Sequence, residues 1–169
     1  TVSEAPYILD GLLMNEVGRH VREQYADTAG FTDHLFGASS LLGYNLVLRI
    51  RDLPSKRLYV FNPDTTPREL RKLVGGKARE DLIVANWPDI FRCAATMTAG
   101  KIRPSQLLRK LASYPRQNNL AVALREVGRI ERTLFIIEWI LDTDMQRRAQ
   151  IGLNKGEAHH ALKNALRIG

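Results

Sequence analysis

The sequence holds little that redox or zinc chemistry could use. One of its 169 residues is cysteine, so no disulfide framework can form, which fits a reducing compartment. That residue, Cys93, sits between Arg92 and Ala94 in an apolar helical stretch and reads as core filler. The four histidines have no cysteine at zinc spacing, and His159-His160 point two ways on a helix, as a surface pair does. No run of about 18 apolar residues exists, so no membrane span is expected. There is no Gly-x-Ser-x-Gly, and Gly75-Gly76-Lys77 lacks the spacing and the Ser or Thr of a phosphate loop. The start, Thr1-Val2-Ser3-Glu4, has no initiator Met and no leader pattern, and the end stops inside a helical pattern. The chain is read as a piece of something longer. Acids are outnumbered, 18 against 25 Lys and Arg, for a net charge of +7. That balance favours an acidic partner, most commonly nucleic acid, with a solvated basic surface as the plainer reading.

What is present can build a core. Hydrophobic residues make up 44%, enough for one domain or one domain with an insertion. Ser3 caps a first helix running to about Glu16. Val21 to Asp27 alternates as a strand. Thr28-Ala29-Gly30 turns, and Thr32 caps a helix with Asp33 in its first turn. Tyr44 to Arg51 alternates as the clearest strand, and Leu58 to Phe61 is a shorter one. This helix, strand, helix, strand order implies a mixed or parallel sheet.

From Thr66 the pattern is helical only. Thr66-Pro67-Arg68-Glu69 reads as a capping box, with Gly75-Gly76 as the stop. A helix from Arg79 should break or kink at Pro88 and resume to Ala99. Pro104 opens a short helix. The longest helix is expected from Gln117 to Leu141, with one apolar stripe through Leu124, Val127, Leu134 and Leu141. Its charged face, Arg125, Glu126, Arg129, Glu131 and Arg132, reads as ion pairs or phosphate contacts. Asp142 to Asp144 caps a shorter helix ending by Gly152. The last helix starts near Lys155, with Ala158, Ala161 and Leu162 packed and Glu157 at the margin of that face.

Asp27 at a strand end and Glu157 on a helix are candidate ligands for a hard cation. Spacing alone favours structural roles instead: an Asp before a glycine turn caps it, and a Glu in a first turn meets the helix dipole. Basic residues cluster at Arg49, Arg51, Lys56 and Arg57, and again from Lys101 to Arg116. Such side chains neutralise phosphates without reading sequence.

Several blocks together resemble one family. They include Asp27-Thr28-Ala29-Gly30-Phe31-Thr32-Asp33-His34, Leu41-Leu42-Gly43-Tyr44 and Arg49-Ile50-Arg51-Asp52-Leu53. Further on come Tyr114-Pro115-Arg116-Gln117-Asn118, Gly128-Arg129-Ile130-Glu131-Arg132 and Gly152-Leu153-Asn154-Lys155-Gly156-Glu157-Ala158. In this order they resemble the catalytic region of the Tn-three family of replicative transposases, over nearly the whole chain.

The resemblance implies a mostly helical α/β fold: a partial ribonuclease H-like core with a few strands and a large all-helical insertion. Residues 1–65 would be core, 66–150 insertion, and 151–169 the helix returning to the core. It implies Asp27 and Glu157 as two of three catalytic carboxylates, the first lying upstream of this chain. Two Mg²⁺ ions, with Mn²⁺ as substitute, would sit about 3.5–4 Å apart between them. Attack on a phosphodiester would nick each transposon end and then join it to target DNA. Arg49, Arg51, Arg116, Arg125, Arg129 and Lys155 are the DNA-contact candidates. His159-His160 depart from the family's usual Arg-Asn after the catalytic Glu, which puts DNA contacts there in question. A piece lacking the first strands is expected to be inactive alone and to self-associate through an uncovered edge. The setting implied is the bacterial cytoplasm, at the nucleoid. The alternatives are a non-catalytic helical DNA-binding or oligomerisation module, and a decayed transposase remnant.

Overall fold

The computed structural model describes residues 5–14, 23–27, 31–50, 52–113 and 118–167. Helix α1, Ala5–Met14, buries Leu9 and Leu12. Strand β1, Glu23–Asp27, leads to α2, Asp33–Leu41. Thr32 caps α2 as its sequence requires, its hydroxyl accepting from the Leu35 N–H at 3.3 Å. Strand β2, Asn45–Arg49, lies parallel to β1, with Glu23 opposite Asn45 and Asp27 opposite Arg49. Both faces of β2 are covered, so Leu46, Val47 and Leu48 are all buried where alternation predicted one apolar face.

The stretch after Thr66 is not helical throughout. Strand β3, Leu58–Val60, pairs in parallel with a fourth strand, β4, Val74–Lys77. In place of the helix expected from the capping box there is only a 3₁₀ turn at Arg71–Leu73. The two glycines taken as a helix stop permit close strand approach instead. A Cβ on Gly75 would lie 2.7 Å from the Cβ of Arg57, and one on Gly76 would meet the Tyr59 ring at 3.4 Å.

Helix α3, Glu80–Thr98, runs through Pro88 without interruption. The carbonyl whose partner Pro88 removes belongs to Val84, an exposed residue whose surroundings let water serve. Gly100, at φ +70°, follows the end of α3. Helix α4, Pro104–Ser113, buries Leu107, Leu108 and Leu111. Its N-terminus is tied to α1: Asp10 accepts from the Ser105 N–H at 2.9 Å and from its hydroxyl at 2.5 Å.

Helix α5, Asn119–Leu141, is capped by Asn118 and packs along α2. Its apolar stripe is not the straight one expected. Leu124 and Val127 are buried, but further on Phe135, Ile136 and Trp139 face the core while Leu134 and Leu141 are exposed. Phe135 stands 6.0 Å from both Phe36 and Trp139, centroid to centroid. Helix α6, Thr143–Arg167, is one 25-residue helix, longer than the 23 residues of α5. It begins at the expected Asp142 cap and continues through Gly152 and Gly156, where two helices were predicted. It lies against β1 and β2. No described helix is long and apolar enough to cross a membrane.

Candidate active site

Asp27 is the last residue of β1, and its backbone is in register with Arg49 of β2. Its side chain, the Thr28-Ala29-Gly30 turn, Arg51 and Arg116 lie outside the described part of the structure. Glu157 lies on α6 and is exposed, as is its neighbour Lys155. The face expected to pack beside Glu157 does not: Ala158, Ala161 and Leu162 are exposed, Leu162 at 58%. From Asn154 to His159 every described side chain of α6 is exposed.

The upstream half of α6 is fixed to β1. A Cβ on Gly152 would lie 2.8 Å from Cγ of Tyr25, so the helix backbone rests directly on that ring. One turn earlier, Arg148 reaches Glu23 at 3.6 Å and Asp142 at 3.8 Å. Tyr25 donates its hydroxyl proton to Glu23 at 2.5 Å. That bond, with burial, holds the phenol above its ordinary pKa and keeps it a donor. Arg148 and Gly152 are four residues apart on one side of the helix, so both anchors act on the same face. The strand ending at Asp27 and the helix carrying Glu157 are thereby joined.

Carboxylate oxygen is the donor a hard cation prefers, and an exposed Glu157 presents it. Among the described residues there is no group of three or more His, Cys, Asp or Glu that could hold a metal ion.

Next to this region lies an ionic network whose depth the sequence did not reveal. Asp33, at the start of α2, receives Arg132 at 2.5 Å and Arg129 at 3.6 Å. Arg129 also donates to Glu126 at 2.6 Å, and its guanidinium lies 4.2 Å from the centroid of the Tyr59 ring. Glu126 is wholly buried and accepts the Arg79 backbone N–H at 3.2 Å. Thr133 accepts the Tyr59 N–H at 2.8 Å, fixing β3 to α5. Three residues separate Glu126 from Arg129 and Arg129 from Arg132, the spacing that signalled ion pairs. No sequence signal marked Asp33 as their partner across α2. Arg129 is thus engaged internally. Arg125 is half-buried, 4.0 Å from Glu126.

Comparison with known proteins agrees with this arrangement of blocks. Residues 1–169 match the family model described as Tn3 transposase DDE domain. The chain is 50% identical over 165 residues to the transposase for transposon Tn501 of Pseudomonas aeruginosa, covering 98% of this chain and 17% of that protein. It is 47% identical to the transposase for transposon Tn21 of Escherichia coli, covering 96% and 16%. Against the transposase for transposon Tn1546 of Enterococcus faecium the identity is 42%, covering 98% and 17%. The chain therefore spans about a sixth of the length of these relatives. Matched along its whole length, it belongs to the DDE domain family of the Tn3 transposases.

Proposed function

We propose that this chain is part of the catalytic domain of a DNA transposase, with Asp27 and Glu157 as two of the carboxylates that hold divalent metal. The observation that carries this reading is the contact of Gly152 with Tyr25. It ties the helix bearing Glu157 to the strand that ends at Asp27. On this reading residues 1–65 and 151–169 belong to a ribonuclease H-like core and 66–150 to an insertion. The cofactor is Mg²⁺, replaceable by Mn²⁺. The partner is DNA, both transposon ends and target, and the working form is a homo-oligomer in the bacterial cytoplasm, at the nucleoid. The uncovered apolar edge of α6 at Ala158, Ala161 and Leu162 supports a further subunit or segment packing there.

Asp27 and Glu157 would hold Mg²⁺, which would supply Lewis-acid activation of the scissile phosphodiester. The chain's own residues position the strand. Lys155, two residues before Glu157, and Arg49, in register with Asp27, neutralise phosphates, as do Arg51, Arg116 and Arg125. Arg129 acts by holding α5 to Asp33 of α2 and by pairing with Glu126 on its own helix.

The test is end cleavage by the transposase that carries this chain. Asp27→Asn and Glu157→Gln each abolish Mg²⁺-dependent cleavage and leave salt-dependent DNA binding intact. Cleavage that survives either substitution sinks the assignment. DNA binding with no cleavage by the unsubstituted protein, indifferent to Mg²⁺, marks a non-catalytic module or a decayed remnant instead.

A further inference from the structure

Between the carboxyl half of β2, β3 and α5 lies a cleft of about 330 Å³. Phe31, four residues beyond Asp27, lines it, and so does Ile50, which follows the register partner of Asp27. The lining has two chemistries. Phe31, Ile50 and Phe135 make it apolar, while Ser55, Lys56 and Arg57 add a polar rim.

The other polar groups nearby are already engaged. The Tyr59 ring lies against the Arg129 guanidinium on α5 and beside Gly76 on β4. Arg132 is paired with Asp33. Arg57 is exposed and donates to the carbonyls of Pro54 and Lys56 at 2.9 Å each, neutral partners that leave its charge uncompensated. Among the described residues neither Lys56 nor Arg57 has a carboxylate within ion-pair distance.

An apolar recess with cations at its mouth fits a ligand that is flat and apolar in one part and anionic in the next. A nucleotide is such a ligand. Inside a duplex the base is stacked and cannot enter a recess, so the strand must be unpaired at that position. We propose that this cleft takes one unpaired nucleotide of a DNA strand, its base against Phe31 and Ile50 and its flanking phosphates on Lys56 and Arg57. The inference rests on the reading of the chain as a DNA-acting protein. It adds a site that distinguishes an unpaired base from a bare phosphate backbone. Contact through ring faces is tolerant of sequence, so no base preference is needed.

The experiment compares two fluorescent probes of equal charge on the 169-residue chain. One is an eight-nucleotide oligothymidylate and the other a strand of eight abasic deoxyribose phosphates. Anisotropy should show the first binding about tenfold more tightly. Phe31→Ala brings the ratio toward one. So does Ser55→Trp, which fills the mouth from an exposed position and serves if Phe31→Ala fails to fold. Lys56→Ala and Arg57→Ala weaken both probes alike and each lower the salt slope by about one.

Equal binding of the two probes by the unsubstituted chain overturns the proposal. A tenfold preference that persists in both Phe31→Ala and Ser55→Trp also overturns it, because the base is then held elsewhere. Metal-dependent cleavage without the preference removes the cleft alone. The preference without that dependence removes the metal assignment alone.

Discussion

A Cβ on Gly128 would lie 1.6 Å from the backbone carbonyl oxygen of Asp33. Helices α5 and α2 therefore cross with backbone against backbone. On the α2 side, Gly37 does the same, with a Cβ that would lie 2.8 Å from the Leu124 carbonyl oxygen. The same crossing brings Arg129 and Arg132 of α5 up to the Asp33 carboxylate.

Gly128→Ala is expected to destabilise the fold by about 3 kcal/mol, since the obstacle is backbone and cannot swing aside. Gly156→Ala is the matched control. Nothing lies within 4 Å of a Cβ there, and the exchange in a helix should stabilise by up to about 1 kcal/mol. Urea titrations of both variants measure the contrast. A Gly128→Ala protein as stable as the parent would refute the close crossing.

Truncating Glu126 should be costly for a different reason. Glu126→Ala leaves the Arg129 guanidinium and the Arg79 N–H without their buried acceptor. A loss of about 3 kcal/mol is expected, with m-value unchanged. In the double variant with Arg129→Leu, much of that loss is recovered. If the two effects simply add, the pair is not coupled.

Asp10 supplies the cap that α4 lacks from its own chain segment. Asp10→Ala should cost about 1–2 kcal/mol, and Asp10→Asn less, because the amide oxygen still accepts from the Ser105 N–H. Hydrogen exchange at the first turn of α4 reports the change. Protection unaffected by Asp10→Ala would remove the cap from the account.

His34 makes stability fall in mild acid. Burial holds its pKa below the ordinary value, and the adjacent Arg125 adds to this, against the Ala121 carbonyl and Asp33. Nε2 bonds to the Ala121 carbonyl at 2.8 Å, so in the neutral ring it carries the proton. The unfolded chain takes up the second proton first, so stability rises with pH across this window. It is fully present above about pH 6.5 and is lost as pH falls toward the lower folded value. Midpoints of denaturation at pH 8 and pH 5.5 should differ less for His34→Gln than for the parent. An equal difference would show that other groups set the slope.

Local chemistry made much of this fold legible. Thr32 and Asp142 cap helices because a short oxygen side chain meets orphan N–H groups wherever it stands before a helical pattern. The parallel pairing of β1 and β2 follows from a helix intervening between two strands. The errors lie where a distant partner decides. Gly75 and Gly76 read as a helix stop until Arg57 and Tyr59 are seen beside them. Gly152 read as a helix end, yet it is a contact surface for Tyr25, which offsets the weakness of glycine within a helix. Pro88 is tolerated because the carbonyl it leaves unpaired can face water. At the candidate site the two blocks were readable in the sequence. The burial of Glu126 and the reach of Arg129 and Arg132 to Asp33 on another helix were not, since a charged helix face looks alike whether solvated or covered.

Resting on Tyr25 through Gly152, helix α6 is a lever with its fulcrum at β1. Glu157 is five residues beyond that point, a lever arm of about 7.5 Å at 1.5 Å per residue. A tilt of about 10° at the fulcrum moves the backbone of Glu157 by about 1.3 Å, a displacement that the metal-binding role proposed for it would feel. The ring of Tyr25 and the Arg148–Glu23 pair are therefore the parts of this chain that set the aim of a carboxylate neither of them needs to touch.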